Sequence, residues 1–384
     1  MQLALSDEER AFRDEMREFF TTKVDEDIRR TVAEGRELTK DQLVDAMRTL
    51  NAAGLAVPRW PVEWGGQDWT EIQFHIWHEE MERACVPTPL AFNAGMIGPV
   101  IAHFGTEEQK QEFLPKTANI DIFWSQGFSE PDAGSDLAGL RTTAVKDGDD
   151  WVVNGQKTWT TLGQYGDWIF TLVRTDPDAK KQAGISMLLI DMTTPGLEVR
   201  PIQLIDGGHE VNEVWFDDVR VPGENLVGEL NGGWSIAKFL LGNERVGVAP
   251  SGITKRVIAR IKGLAEDRFT DDPLLRARIA SLENELLALE LTTMRVAANS
   301  LDGKPHPASS VLKLKGSELQ QAVSELVLDL AGPAGLGSGA GDDSDLTEWE
   351  RVAGPLYLNL RKASIYGGSN EVQRQIISRN ILGL

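Results

Sequence analysis

The sequence predicts an α+β protein in which a β-rich segment lies between two helical ones. Three observations carry that expectation: helical spacing of apolar residues between capping signals up to about residue 119, short β-branched and aromatic runs from 120 to about 229, and long amphipathic stretches from 230 onward. A chain of 384 residues is long enough to bury two or three cores. The changes in texture place the domains at 1–119, 120–229 and 230–384.

In the first segment Ser6 followed by Glu9 has the spacing of a capping box, and Phe12, Met16, Phe19 and Phe20 recur on one helix face. Gly, Pro and Trp interrupt the pattern over 58–69, helical spacing resumes over 71–83, and Thr106 with Glu107 and Glu108 starts a helix that should end before Pro115. In the second segment WVVNG, KTWTT, WIFTLVRT, ISMLLIDM, LEVRPI and VWFDDVRVP read as strands separated by Gly, Asn, Asp and Pro. The third segment predicts helices over 234–264, 273–300, 309–331 and 370–381.

Composition excludes several function classes. Lys and Arg total 39 against 59 Asp and Glu, and the net charge of -20 opposes a broad grip on nucleic acid or an anionic membrane. A phosphate-bearing ligand then needs a local pocket of donors. One cysteine, Cys85, cannot form an intrachain disulfide, and the N-terminal stretch is acidic and amphipathic without a basic or apolar leader, so a cytoplasmic protein is expected. The longest apolar runs, near 169–173 and 185–190, are too short to span a membrane. The glycine-rich stretch 332–345 follows a helix and lacks dinucleotide-loop spacing, which makes it a surface loop. Five His and one Cys show no metal-ligand spacing, no metal is expected, and no G-x-S-x-G elbow is present.

GFSEPDAGSDLAGL (127–140), WVVNGQKTWTT (151–161), VWFDDVRVPGENLVG (214–228) and IYGGSNEVQRQIISRNILGL (365–384) together resemble the acyl-CoA dehydrogenase family over nearly the whole chain. The resemblance implies an N-terminal helical domain, a central β-barrel-like domain and a C-terminal four-helix bundle, with FAD as cofactor and an acyl-CoA as substrate. It implies that Gln126, Phe128 and Ser129 lie along the flavin through backbone and hydroxyl groups, that Trp159 and Thr161 cover its other side, and that Ser369 and Glu371 also touch the cofactor. Ser135 matches a position on the CoA arm, and Arg245 a position on the substrate. Read singly, Ser129 and Ser135 would be turn caps and Trp159 a core residue.

Many members carry a catalytic Glu within a C-terminal IYEG motif, and here that motif reads Ile365-Tyr366-Gly367-Gly368. Other members place the base before an Arg on the first long helix of the C-terminal domain, and Leu241-Gly242-Asn243-Glu244-Arg245 matches that pattern. The resemblance therefore implies Glu244 as the base that takes the α-proton, with the Gly367 backbone N–H left to hydrogen-bond the thioester carbonyl.

Two further family features are missing. The R-x-x-F-G segment, whose Arg reaches FAD in a neighbouring subunit, is replaced by AEDRFTDDPLLRARIA (265–280), and a glycine-rich flavin-contacting segment is replaced by an acidic loop at 342–345. Both losses fall on the surface that donates to a neighbour's FAD diphosphate. This resembles the larger subunits of heteromeric members, such as those acting on pimeloyl-CoA or steroid side chains, and implies a paralogous partner in an α2β2 tetramer with electron-transfer flavoprotein as acceptor. The alternative is a non-catalytic flavin-binding subunit whose partner carries the base. Oxidase or desulfinase chemistry is a third, weaker alternative.

Overall fold

The computed structural model describes residues 5–247, 251–265, 271–298, 307–336 and 346–384, and within these the side chains of 241–247, 251, 297 and 298 lie outside the description. The helices are α1 (Asp7–Thr22), α2 (Glu26–Glu34), α3 (Lys40–Ala52), α4 (Glu71–Arg83), α5 (Gly98–Phe104), α6 (Glu107–Ala118), α7 (Gly233–Gly247), α8 (Ser251–Leu264), α9 (Pro273–Ala298), α10 (Ser309–Ala331), α11 (Glu348–Asn359) and α12 (Asn370–Ile377). The strands are β1 (Trp124–Gly127), β2 (Thr143–Asp147), β3 (Asp150–Thr161), β4 (Trp168–Arg174), β5 (Ile185–Asp191), β6 (Leu197–Ile202), β7 (Val211–Pro222) and β8 (Leu226–Val227). The α+β order read from the sequence is the order observed. By packing, the chain forms two compact units, one of residues 1–46, 69–88 and 244–384, the other of 47–68 and 89–243.

The first unit is helical. Its start is the predicted capping box: the Glu9 N–H donates to the Ser6 hydroxyl while the Glu9 carboxylate accepts from the Ser6 N–H. Met16 and Phe20 are the buried residues of the α1 face, and Arg17 holds the buried Glu80 of α4 through two bonds of 2.9 and 2.8 Å. Helices α8 to α11 form the four-helix bundle, its core filled by Ile258, Ile261, Ile279, Leu286, Leu312 and Val323. Sequence reading missed α11, because Gly354 and Pro355 sit in its middle and mask the apolar period. Gly354 is there for close approach, since a β-carbon would come within 2.4 Å of the Gly335 carbonyl oxygen.

The second unit is built on a sheet of order β6-β7-β3-β2-β4-β5-β8, with β1 added in parallel to β4. Ile169, Val173, Leu188, Ile190, Val214 and Val219 fill its core. The runs WVVNG and KTWTT are one twelve-residue strand, β3, because Gly155 takes φ +145° where a β-carbon would meet Thr142 Oγ1 at 2.6 Å. Helix α6 runs past Pro115 to Ala118, against the expectation that it stops there. The proline loses one donor, but its carbonyl still accepts from the Asn119 N–H at 3.1 Å, and the residues on either side of it, Phe113, Leu114, Thr117 and Ala118, are buried.

The 58–69 segment is pinned by Trp60, whose indole N–H donates to the Ala94 carbonyl at 2.7 Å. A β-carbon at Gly98 would come within 1.8 Å of the Trp60 ring. Gly98→Ala is therefore expected to destabilise this unit by about 1–3 kcal/mol, as overpacking does. The check is the urea midpoint followed by tryptophan fluorescence, and an unchanged midpoint would remove the contact from the stability account. Among the described residues no helix is long and apolar enough to cross a membrane.

Candidate functional site

The signature segment begins on β1, whose only strand partner among the described residues is β4, so one edge of β1 stands outside the ladder. Gln126 sits on this strand, half-buried. Phe128 is 6% exposed and packs its ring edge-on against Phe170 at 5.8 Å, which leaves its backbone as the part available to a ligand. Ser129 is half-buried, and its carbonyl accepts from the Thr158 N–H at 2.9 Å. Glu130 then turns the chain back through paired backbone bonds with Ala133, both of 3.0 Å. Ser135 lies exposed beyond that turn, beside an Asp136 paired to Lys181 at 3.0 Å.

Behind this strip is a buried ion pair that sequence reading missed. Lys157 of β3 is fully buried, and its Nζ donates to Glu130 Oε1 at 2.7 Å and to the Phe128 carbonyl at 3.2 Å. Glu130 also accepts the backbone N–H groups of Arg141 at 2.6 Å and Thr142 at 2.9 Å. The available signal was a lysine inside the β-rich run WVVNGQKTWTT, since a charge buried there must be paired.

Burial pulls the Lys157 ammonium down from 10.5 to about 8, with Glu130 opposing the shift and Arg174 adding to it. Burial pushes Glu130 up, but Lys157, Thr142 and Arg141 outweigh it and hold the carboxyl below its ordinary range. Between pH of about 8 and 10.5 the unfolded chain holds the Lys157 proton more fully than the folded one, so this residue's contribution to stability rises with pH through that window. Glu130 contributes stability that is lost as pH falls through its depressed value. Lys157→Met should remove the alkaline rise, a result read from urea midpoints measured across pH 7.5 to 10.5.

Just past Lys157 the pairing of β3 with β7 slips, and Trp159 sits in the slip with φ +61°. A bulky residue in the left-handed region costs about 1–2 kcal/mol. Trp159 is also 58% exposed, so it is no core residue: the bulge turns a large indole outward. Thr161 ends the strand, half-buried and paired with Val211. An exposed aromatic held in a strained bulge beside an unpaired strand edge suits a planar heterocycle, which would cover the indole and meet backbone groups at its rim. The residues present fit a flavin ring.

The other unit carries the Gly367 region. Gly367 and Gly368 take φ +62° and +84°, and Gln373 donates to both of their carbonyls, at 3.4 and 3.2 Å. Among the described residues no hydrogen bond takes the Gly367 N–H. Ser369 caps α12 through the Val372 N–H, and Glu371 lies exposed in its first turn, its carboxyl held below the ordinary range by backbone N–H bonding at the helix start and by Ser369. Beneath the loop the buried Lys313 donates to the Ala363 carbonyl at 3.1 Å and to Asn370 Oδ1 at 3.0 Å, and Ser317 reaches the same oxygen at 3.0 Å. The backbone of Glu244 and Arg245 continues α7, and their side chains lie outside the described residues, as do residues 268, 269 and 342–345. Among the described residues no cluster of His, Cys, Asp and Glu is arranged to hold a metal.

Comparison with known proteins gives the class. Sequence profiles for the acyl-CoA dehydrogenase N-terminal, middle and C-terminal domains match residues 6–121, 125–219 and 231–382. The chain belongs to the acyl-CoA dehydrogenase family, a family of FAD-dependent oxidoreductases acting on acyl-CoA thioesters. It is 39% identical over 343 residues to the acyl-CoA dehydrogenase IpdE1 of Mycobacterium tuberculosis, spanning 87% of this chain and 86% of that one. Among solved structures, the Tcur3481-Tcur3483 steroid acyl-CoA dehydrogenase superposes with a TM-score of 0.88 at 30% identity, over 100% of this chain and 99% of that one. The ChsE4-ChsE5 complex of M. tuberculosis superposes with a TM-score of 0.86 at 33% identity, over 100% and 99%.

Proposed function

We propose that this chain is the base-bearing, flavin-binding subunit of a heteromeric acyl-CoA dehydrogenase. The observation that carries the reading is the meeting of two strips, 126–129 and 157–161, at an outward Trp159. Gln126 and the backbone of Phe128 and Ser129 would lie along the ring, Trp159 would cover its other side, and Thr161 would stand near N5. Ser369 and Glu371 would add contacts from the start of α12, and Ser135 and Arg245 would hold the substrate. FAD supplies the hydride acceptor for the β-carbon. Glu244 takes the α-proton, and the Gly367 N–H donates to the thioester carbonyl, stabilising negative charge as the proton leaves. The three-part division at 1–119, 120–229 and 230–384 assigns flavin and thioester contacts to the middle segment and the base and subunit contacts to the last.

The missing R-x-x-F-G arginine and the acidic 342–345 stretch support a partner that gives FAD diphosphate contacts and does not receive them in return. Two similar structures, Tcur3481-Tcur3483 and the ChsE4-ChsE5 complex, are named as pairs of chains, which supports that reading. We expect the full chain alone to hold FAD weakly, and the complex with its paralogue to be an α2β2 tetramer with fewer flavins than chains. Mass and flavin absorbance of the purified species check this, and full, tight occupancy in a homotetramer would overturn it. We place the complex in the cytoplasm, with electron-transfer flavoprotein as acceptor. The activity itself is tested by bleaching of the flavin with straight, branched, dicarboxylic and steroid CoA thioesters. A complex that binds FAD but is bleached equally well when Glu244 is replaced would favour the partner as the source of the base.

A further inference from the structure

Fully buried lysines are rare, and one that spends its donors on a backbone carbonyl and a glutamate is a fixed strut. Lys157 touches both strips of the proposed flavin site: its own backbone leads into the Trp159 bulge, and its Nζ holds the Phe128 carbonyl and Glu130. The next residue repeats the link, since the Thr158 N–H donates to the Ser129 carbonyl. Glu130 ties the strut to a third segment through Arg141 and Thr142, and Thr142 Oγ1 returns to the Gln156 carbonyl at 3.3 Å, closing a ring of bonds around the ammonium. Lys157 and Glu130 are both buried, beneath the backbone strips that would face a ligand. Their effect is on spacing.

We propose that Lys157 and Glu130 are a buried positioning pair that fixes the spacing and orientation of the 126–129 backbone against Trp159 and Thr161, and thereby the affinity and geometry with which the flavin ring is held. This rests on the flavin reading given above. Without the ammonium, the Phe128 carbonyl loses its donor and Glu130 is left as an unmatched buried charge, so both relax and the strip carrying Gln126 and Ser129 is released. Trp159 then has no fixed surface opposite it. A structural role alone would lower stability while each folded molecule bound flavin as before. A positioning role changes binding in molecules that are folded.

The test titrates FAD into the full-length chain, alone and with its co-purified partner, following quenching of flavin fluorescence and the visible circular dichroism of the bound ring. Lys157→Met is expected to raise the FAD Kd by about tenfold and to weaken the visible dichroic bands. Lys157→Arg, which keeps charge and donors, is expected to recover most of both. Because Lys157→Met leaves a buried carboxylate unmatched, the Glu130→Gln/Lys157→Met double variant serves as the folded reference. The amide removes the charge, can still accept a backbone N–H, and should bring the unfolding midpoint back toward wild type with FAD binding still weakened. Wild-type Kd and dichroism in the double variant would overturn the proposal, leaving the pair a stability element. If the wild-type chain binds no FAD in either form, the flavin reading falls and this inference with it.

Discussion

Glu244→Gln is expected to leave FAD bound and to slow reduction of the flavin by acyl-CoA by about two to four orders of magnitude, the usual worth of a general base. The amide keeps the shape of the carboxyl but cannot accept the α-proton, so binding and chemistry should separate. The expectation rests on Gly367. With no carboxylate at 367, proton removal needs a base from elsewhere, and the helix that continues through Glu244 matches the family's second location for one. In the proposed function the Gly367 N–H would lower the barrier but would remove no proton. Anaerobic single-turnover reduction, mixed rapidly and followed at the flavin band, separates this step from product release. An unchanged rate in the variant would remove Glu244 from the proposed mechanism.

Much of this was legible because each signal was local. The Ser6 capping box, the start of α4 after the 58–69 interruption and the apolar runs that became β4 and β5 each depend on neighbours a few residues apart. What escaped depends on distant partners. Lys157 and Glu130 are 27 residues apart, and Lys313 and Asn370 are 57 apart, and no short-range pattern marks either pair as joined. Trp159 shows the same limit from the other side. By residue type it belongs in a core, but the slip between β3 and β7 turns it outward, and that slip is set by pairing across the sheet. Pro115 misled because a rule for helix interiors was outweighed by burial of the turn around it.

The Gly367→Ala variant is expected to lose about ten- to a hundredfold in kcat/KM with α-branched, cyclic or steroid-type CoA thioesters, and much less with butyryl- or octanoyl-CoA, since excluding a bulky group costs about 1–3 kcal/mol or more at a tight contact. Relatives with the IYEG motif carry a glutamate here, and under the proposed function, with Glu244 as the base instead, the space at 367 would be given to the acyl group. Wild type should accordingly prefer bulky acyl groups, because a roomy cavity holds a thin chain loosely and loses near-attack geometry. The backbone adds a second cost. Gly367 has φ +62°, and any β-carbon there meets left-handed strain of about 1–2 kcal/mol. That strain falls on all substrates alike, because it acts on the Gln373-braced loop. The steric part falls on bulky ones alone. A matched series of thioesters therefore separates the two: a uniform loss in Gly367→Ala would assign glycine to the backbone conformation, and a loss graded by acyl bulk would assign it to the shape of the cavity.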